Sequence, residues 1–114
     1  MRVILITTVL SGLPSSALAI PDAKAGKTIY ASNCQGCHGN MGQGNVGPAL
    51  AGEVAGWKYA WFKRAMLQSL DDKGVKLKAP MPLWGKRGFG DTGKPPTDAQ
   101  MTNLQAYLKT FKTK

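Results

Sequence analysis

Two cysteines and a single histidine are all the thiol and imidazole chemistry this chain holds, and acids are almost as scarce: six, against fifteen lysines and arginines. These shortages weigh against several classes. A structural zinc site needs about four ligands, and no further Cys or His is left to complete one. A disulfide between Cys34 and Cys37 would close so small a loop that it would staple nothing distant. A thioredoxin-like dithiol needs an alternating β/α pattern around its cysteines, and none is visible. There is no internal repeat, no linker long enough to separate a pair of domains, and no apolar run of the roughly twenty residues that cross a bilayer as a helix. Catalytic constellations are missing as well, since the one histidine has no nucleophile or acid arranged around it and Asp71 and Asp72 read as a helix-end cap.

What is present is concentrated. Cys34-Gln35-Gly36-Cys37-His38 holds both thiols and the imidazole within five consecutive residues. The pattern C-x-x-C-H is the signature of covalent haem attachment, in which two thiols add to the porphyrin and the adjacent imidazole binds iron. Residues three and four apart share a helix face, so one turn lets Cys34, Cys37 and His38 address one flat macrocycle. In this the chain resembles the c-type cytochromes, and the resemblance implies one covalently attached haem c.

Ahead of the motif, Met1-Arg2 is followed by an apolar run from Val3 to Leu10, then Gly12, Pro14, Ser15 and Ser16, then Ala17-Leu18-Ala19. This is the pattern of a secretory leader, expected to be cleaved after Ala19. Residues 20–114 then form one small domain. Its formal charge is +9 for the whole chain, or +8 without Arg2, an excess that governs partners more than fold. Export agrees with the motif, because the resemblance implies attachment outside the cytoplasm, in the periplasm.

The expected fold is all-α, with about three main helices and wrapping loops around the haem. Asp22 is placed to cap a first helix that carries Gly26, Tyr30 and Cys34 on one face. Trp57 to Leu70 reads as a second helix with a broad apolar side, in which Trp57, Trp61 and Phe62 are expected in the core. If buried, an indole N–H needs a partner, and a haem propionate would serve for Trp57 or Trp61. The segment from Lys86 to Pro96 has too many breakers for an element and reads as flexible. Thr97 and Gln100 then form a capping box for a last helix with Met101, Leu104, Tyr107, Leu108 and Phe111 on its apolar face. The chain is similar here to the small single-haem cytochrome c family, in which a glycine and an aromatic spaced like Gly26 and Tyr30 cross against the last helix. The resemblance puts Leu104 and Tyr107 at that crossing.

The same family has a glycine-rich loop ending in Gly-Pro-x-Leu after the haem motif, and Gly47-Pro48-Ala49-Leu50 looks like it. The resemblance implies that the Pro48 carbonyl accepts a hydrogen bond from the non-ligating nitrogen of His38 and that Leu50 packs on haem. Prolines on both sides of Met81 exclude helix and regular strand, so its side chain is expected on a stiff, extended loop. The family's distal ligand is a methionine in such a loop, and Met81 matches its position. Met41 lies too close to His38 to reach the opposite face, whereas Met66 and Met101 fall on helices at core spacing.

With His38 and Met81 both on iron, no position stays open for oxygen or peroxide, which implies an electron carrier rather than an enzyme. It would be either a free carrier or the haem subunit of a dehydrogenase or oxidase assembly. The basic residues Lys73, Lys76, Lys78, Lys86, Arg87 and Lys94 suggest redox protein partners with acidic docking surfaces, and neither nucleic acid nor membrane insertion after leader cleavage is expected. A haem enzyme or gas-binding sensor with an open or displaceable distal site is the alternative.

Overall fold

The computed structural model describes residues 20–112, so the leader expected over 1–19 lies outside the described residues. The chain forms α1 (Ala23–Asn33), α2 (Gln35–His38), a 3-10 turn (Val54–Gly56), α3 (Tyr59–Gln68), α4 (Trp84–Arg87) and α5 (Asp98–Leu108). The three long helices are the three expected, and the described residues contain no strand beyond an isolated bridge between Leu70 and Lys76.

Local chemistry sets the helix starts. The Asp22 carboxylate accepts from the Lys24 and Ala25 amides at 2.9 and 3.3 Å, using two of the donors that a helix start leaves free. At α5, Thr97 Oγ1 accepts from the Gln100 amide at 3.0 Å while Gln100 Oε1 accepts from the Thr97 amide at 2.9 Å, a complete capping box. Ends are less legible. The helix expected over 57–70 is α3, shorter by two residues at each end. Trp57 is extended (ψ 151°) after the 3-10 turn, and Ser69 adopts the left-handed region (φ 59°), which stops α3 before Leu70. Asp71 does not cap α3; its Oδ1 accepts from the Lys73 and Val75 amides and holds the turn that follows.

α1 and α5 cross in close contact, and a glycine decides how close. A Cβ on Gly26 would sit 1.9 Å from the Asn103 carbonyl oxygen and 2.9 Å from Tyr107 Cβ, so only glycine admits this approach. Beside it Tyr30 is fully buried, its ring 5.6 Å from Tyr107 and 5.1 Å from Phe111. Tyr107 is thus at the crossing as expected, while Leu104, also fully buried, lines the cleft described below.

The segment 86–96 is not a flexible link. Lys86 and Arg87 complete α4, Phe89 and Pro96 are buried, Gly93 N–H donates to the Arg87 carbonyl at 2.8 Å, and Gly90 N–H donates to Asn33 Oδ1 at 3.0 Å. Its glycines permit a fold-back that a count of helix breakers misreads. Trp61 is also misplaced by the sequence reading: it is 37% exposed, with the Lys58 ammonium 5.2 Å from its ring centre, while its neighbour Phe62 takes the core position.

The crossing yields a test. Gly26→Ala in the haem-loaded protein is expected to lose about 1–3 kcal/mol of stability through forced separation of α1 from α5. Denaturant unfolding reads this directly, and a midpoint equal to that of the parent would refute the account.

Candidate haem-binding site

The haem motif does not continue α1. Cys34 (φ −121°, ψ −34°) breaks the helix and becomes the N-cap of the single turn α2, where His38 N–H and Cys37 N–H both donate to its carbonyl at 3.0 and 3.2 Å. That turn separates the three side chains by burial. Cys34 and His38 point inward at 7% and 5% exposure, while Cys37 is exposed. Burial pushes the Cys34 thiol up to about 12, the opposite of the depressed pKa that a reactive redox dithiol requires, and the two cysteines are not bonded to each other.

The loop after His38 is built to hold its ring. Gly44 N–H donates to the His38 carbonyl and Gly47 N–H to the Cys37 carbonyl, both at 2.8 Å, which folds the loop back over α2. A Cβ on Gly47 would lie 2.7 Å from His38 Cε1, so the imidazole lies in the space this glycine leaves. His38 Nδ1 is 2.7 Å from the Pro48 carbonyl oxygen. A carbonyl only accepts, so Nδ1 carries the proton, and the lone pair of the neutral ring is on Nε2. This is the orienting contact that a ligating imidazole usually has.

Cys34 and His38 line an apolar cleft together with Met81 and Leu50 from the loops, Val54 from the 3-10 turn, Phe62 and Met66 from α3, and Leu104 and Leu108 from α5. Of the site residues read from the sequence, the fold brings Cys34, His38, Leu50 and Met81 to this cleft, leaves Cys37 exposed and outside its lining, and sets the Pro48 carbonyl against the imidazole. Met81 is half-buried, and its N–H donates to the Lys78 carbonyl at 3.1 Å, so it closes a turn instead of lying on extended backbone. Met66 also lines the cleft, from the middle of α3.

Three buried polar groups have no partner within the described residues: the indole N–H groups of Trp57 and Trp84 and Nε of Arg64. A buried donor left unpaired costs about 1–3 kcal/mol, so three together call for an acceptor. The donor set fits haem: an apolar slot for the macrocycle, an imidazole held in one tautomer, a thioether lining the same cleft, and orphaned donors suited to carboxylates. Trp57 is fixed by its carbonyl, which accepts from buried Gln105 Nε2 at 2.8 Å. Trp84 joins Trp57 as a donor, one that no sequence pattern marks; its place three residues after Met81 is the one signal the sequence offers. No group of three or more His, Cys, Asp or Glu side chains among the described residues is arranged to hold a free metal ion.

Comparison with known proteins agrees with this geometry. The chain is 34% identical over 96 residues to cytochrome c-554(547) of Halothiobacillus neapolitanus, covering 80% of this chain and 98% of that one. It is 33% identical over 72 residues to the Cbb3-type cytochrome c oxidase subunit CcoP of Azospirillum brasilense, a match covering 57% of this chain but only 23% of the subunit's length. Its fold matches the c-type cytochrome XoxG of Methylobacterium extorquens with a TM-score of 0.54 at 23% identity, over 75% of this chain and 47% of that one. The sequence model of cytochrome c matches residues 23–112. The chain belongs to the cytochrome c family, whose members carry electrons on a covalently attached haem c.

Proposed function

We propose that this protein is an exported single-electron carrier in which Cys34 and Cys37 form the thioethers to haem c and His38 and Met81 are its axial ligands. The hydrogen bond from His38 Nδ1 to the Pro48 carbonyl carries the reading, because it leaves Nε2 as the one basic nitrogen in a cleft that also holds the Met81 thioether. When bound, haem c supplies reversible one-electron chemistry at iron. His38 and Met81 would hold the iron, while Leu50, Val54, Phe62, Leu104 and Leu108 line the cleft and would exclude water from it. A soft, neutral thioether paired with imidazole would favour ferrous iron and raise the potential. Met81 is preferred to Met66 because a thioether on a loop is free to be presented, whereas Met66 packs within the core from a helix.

Trp57, Trp84 and Arg64 are assigned as donors to the haem propionates, replacing the Trp57-or-Trp61 choice, since Trp61 is exposed. The apolar run Val3–Leu10 and the Ala17-Leu18-Ala19 site support export to the periplasm with residues 1–19 removed. Among the described residues no helix is long and apolar enough to cross a membrane. Lys73, Lys76, Lys78, Lys86 and Lys94 are exposed and make no ion pair within the described residues, so their charge is available to a partner with an acidic docking surface, whether this chain works alone or in an assembly.

Three measurements check this. Met81→Ala is expected to abolish the low-spin spectrum of the ferric protein and admit carbon monoxide or cyanide, while Met66→Leu leaves both unaffected; an unaltered spectrum in Met81→Ala would overturn the assignment of Met81, and high-spin iron or ready ligand binding in the parent would support the enzyme or sensor class. Trp57→Phe and Trp84→Phe keep the aromatic volume and delete only the donor. Against a carboxylate acceptor each loss should cost about 1.5–3 kcal/mol of holoprotein stability and lower the reduction potential, whereas removing a truly orphaned donor would be neutral or stabilising. Finally, the rate of electron transfer to an acidic redox protein should fall at least about twofold as salt shortens the Debye length from about 30 to 8 Å, and a rate indifferent to salt would refute basic steering.

A further inference from the structure

Met81 has no side-chain hydrogen bond to hold it, and its position is set by what lies on either side. Upstream is the turn at Lys78. Downstream, Pro82 restricts the backbone and the Leu83 carbonyl accepts from the Lys86 and Arg87 amides at 2.9 and 3.0 Å, so the chain passes from Met81 into α4 within three residues. α4 in turn packs on α3, the helix that contributes Phe62 and Met66 to the haem cleft. The closeness of that seat rests on one position. A Cβ on Gly85 would lie 2.2 Å from the Leu67 carbonyl oxygen, 3.0 Å from its carbonyl carbon and 3.2 Å from its Cα, all backbone atoms of a helix that cannot turn aside. α4 is also braced by the segment that follows it: buried Trp84 packs against buried Phe89 with ring centres 5.3 Å apart, and Gly88 lies close against the Lys94 carbonyl.

We propose that Gly85 is a positioning residue for the distal ligand: its missing side chain lets α4 seat on α3, and that seat sets how far Met81 reaches into the haem cleft. The inference rests on the reading of Met81 as an axial ligand. Met81 has a tether of two residues before α4 begins, so a displacement of α4 passes into the ligand loop with little slack. The His38 side is built differently, on α2 and the loop that Gly44 and Gly47 fold over it, and does not share this seat. Forcing α4 away from α3 should therefore release Met81 while leaving His38 in place.

The test uses the haem-loaded protein and three variants. In Gly85→Ala the sulfur-to-iron charge-transfer band of the ferric form should weaken or vanish. Added imidazole, which binds only when Met81 is off the iron, should bind at least about tenfold more tightly, in proportion to the population of the released state. Gly26→Ala, whose clash lies at the α1–α5 crossing, should lower the unfolding midpoint yet keep the band and the parent imidazole affinity; a role of Gly85 in stability alone would make the two glycine variants alike and would overturn the inference. Phe89→Ala removes the brace behind Trp84 by opening space, and it is expected to act in the same sense as Gly85→Ala. It decides the matter if Gly85→Ala does not fold, with an unchanged band and affinity overturning the inference. A parent protein without the band would overturn the His/Met reading itself, whereas a parent with the band and a folded Gly85→Ala that retains it would overturn this inference alone.

Discussion

The stability of the fold depends first on the contact of two backbones, α1 at Gly26 against the carbonyl of Asn103 on α5. That contact fixes where α1 ends, and α1 ends at Cys34, which caps the turn carrying Cys37 and His38. From the other partner of the same crossing, α5 delivers Leu104 and Leu108 to the cleft wall. A single close approach thereby ties the helix that ends at the C-x-x-C-H turn to a helix that lines the cleft, without involving the packing of α4 on α3 beside Met81. The aromatic cluster of Tyr30, Tyr107 and Phe111 fills the space around it, with ring centres 5.0–5.6 Å apart. The clash a methyl group would meet is with backbone, which cannot change rotamer, so the constraint is stiff.

From that crossing the two sides of the cleft diverge. His38 is held by its own turn, by a glycine-rich loop and by the Pro48 carbonyl, all within ten residues of it in sequence. Met81 is held at a distance, through α4 and the packing of α4 on α3. Local hydrogen bonds restrain one side and tertiary packing the other. The two sides thus respond to different perturbations, because hydrogen bonds close in sequence survive small shifts of helices that would move a packed element.

The same division explains what the sequence disclosed. The haem motif, Pro48, Met81, the Asp22 cap and the Thr97–Gln100 box are short-range patterns, and each was legible because the residues that interact lie close together or at a fixed spacing. Gly26 and Tyr107 were legible through a family spacing, but Asn103, which meets Gly26 through its backbone carbonyl, has no side-chain signal to betray it. Trp84 and Arg64 escaped for a related reason: an unpaired donor is defined by what surrounds it in space, and no pattern along the chain marks that. Three aromatics in six residues suggest core for all of them, but a helix facing the cleft buries Phe62 and turns Trp61 toward solvent. The segment from Lys86 to Pro96 was misread since glycine count measures conformational freedom, and here Gly88, Gly90 and Gly93 use positive φ to fold the chain back on itself.

Scarcity of acid, the feature that first bounded the sequence, also shapes the surface. Of the six acidic residues, four are engaged locally: Asp22 caps α1, Asp71 holds the turn after α3, Asp91 pairs with Arg87 at 2.8 Å, and Asp98 pairs with Lys63 at 3.1 Å. Asp98 also accepts from the Tyr59 hydroxyl at 2.6 Å, and that bond with the Lys63 ammonium holds its carboxyl below the usual carboxylate range. The Asp71 carboxyl is held low by the Val75 and Lys73 amides and by the nearby charges of Lys73 and Arg64, while Glu53 and Asp72 make no ion pair among the described residues. Around Met81, with Lys73, Lys76 and Lys78 before it and Lys86 and Lys94 after it, the positive charge is therefore left largely uncompensated by folding. A field of one sign persists because the chain has only six acids against fifteen lysines and arginines, and those few acids also serve caps, turns and helix-to-helix pairs, so architecture and charge here draw on the same small set of residues.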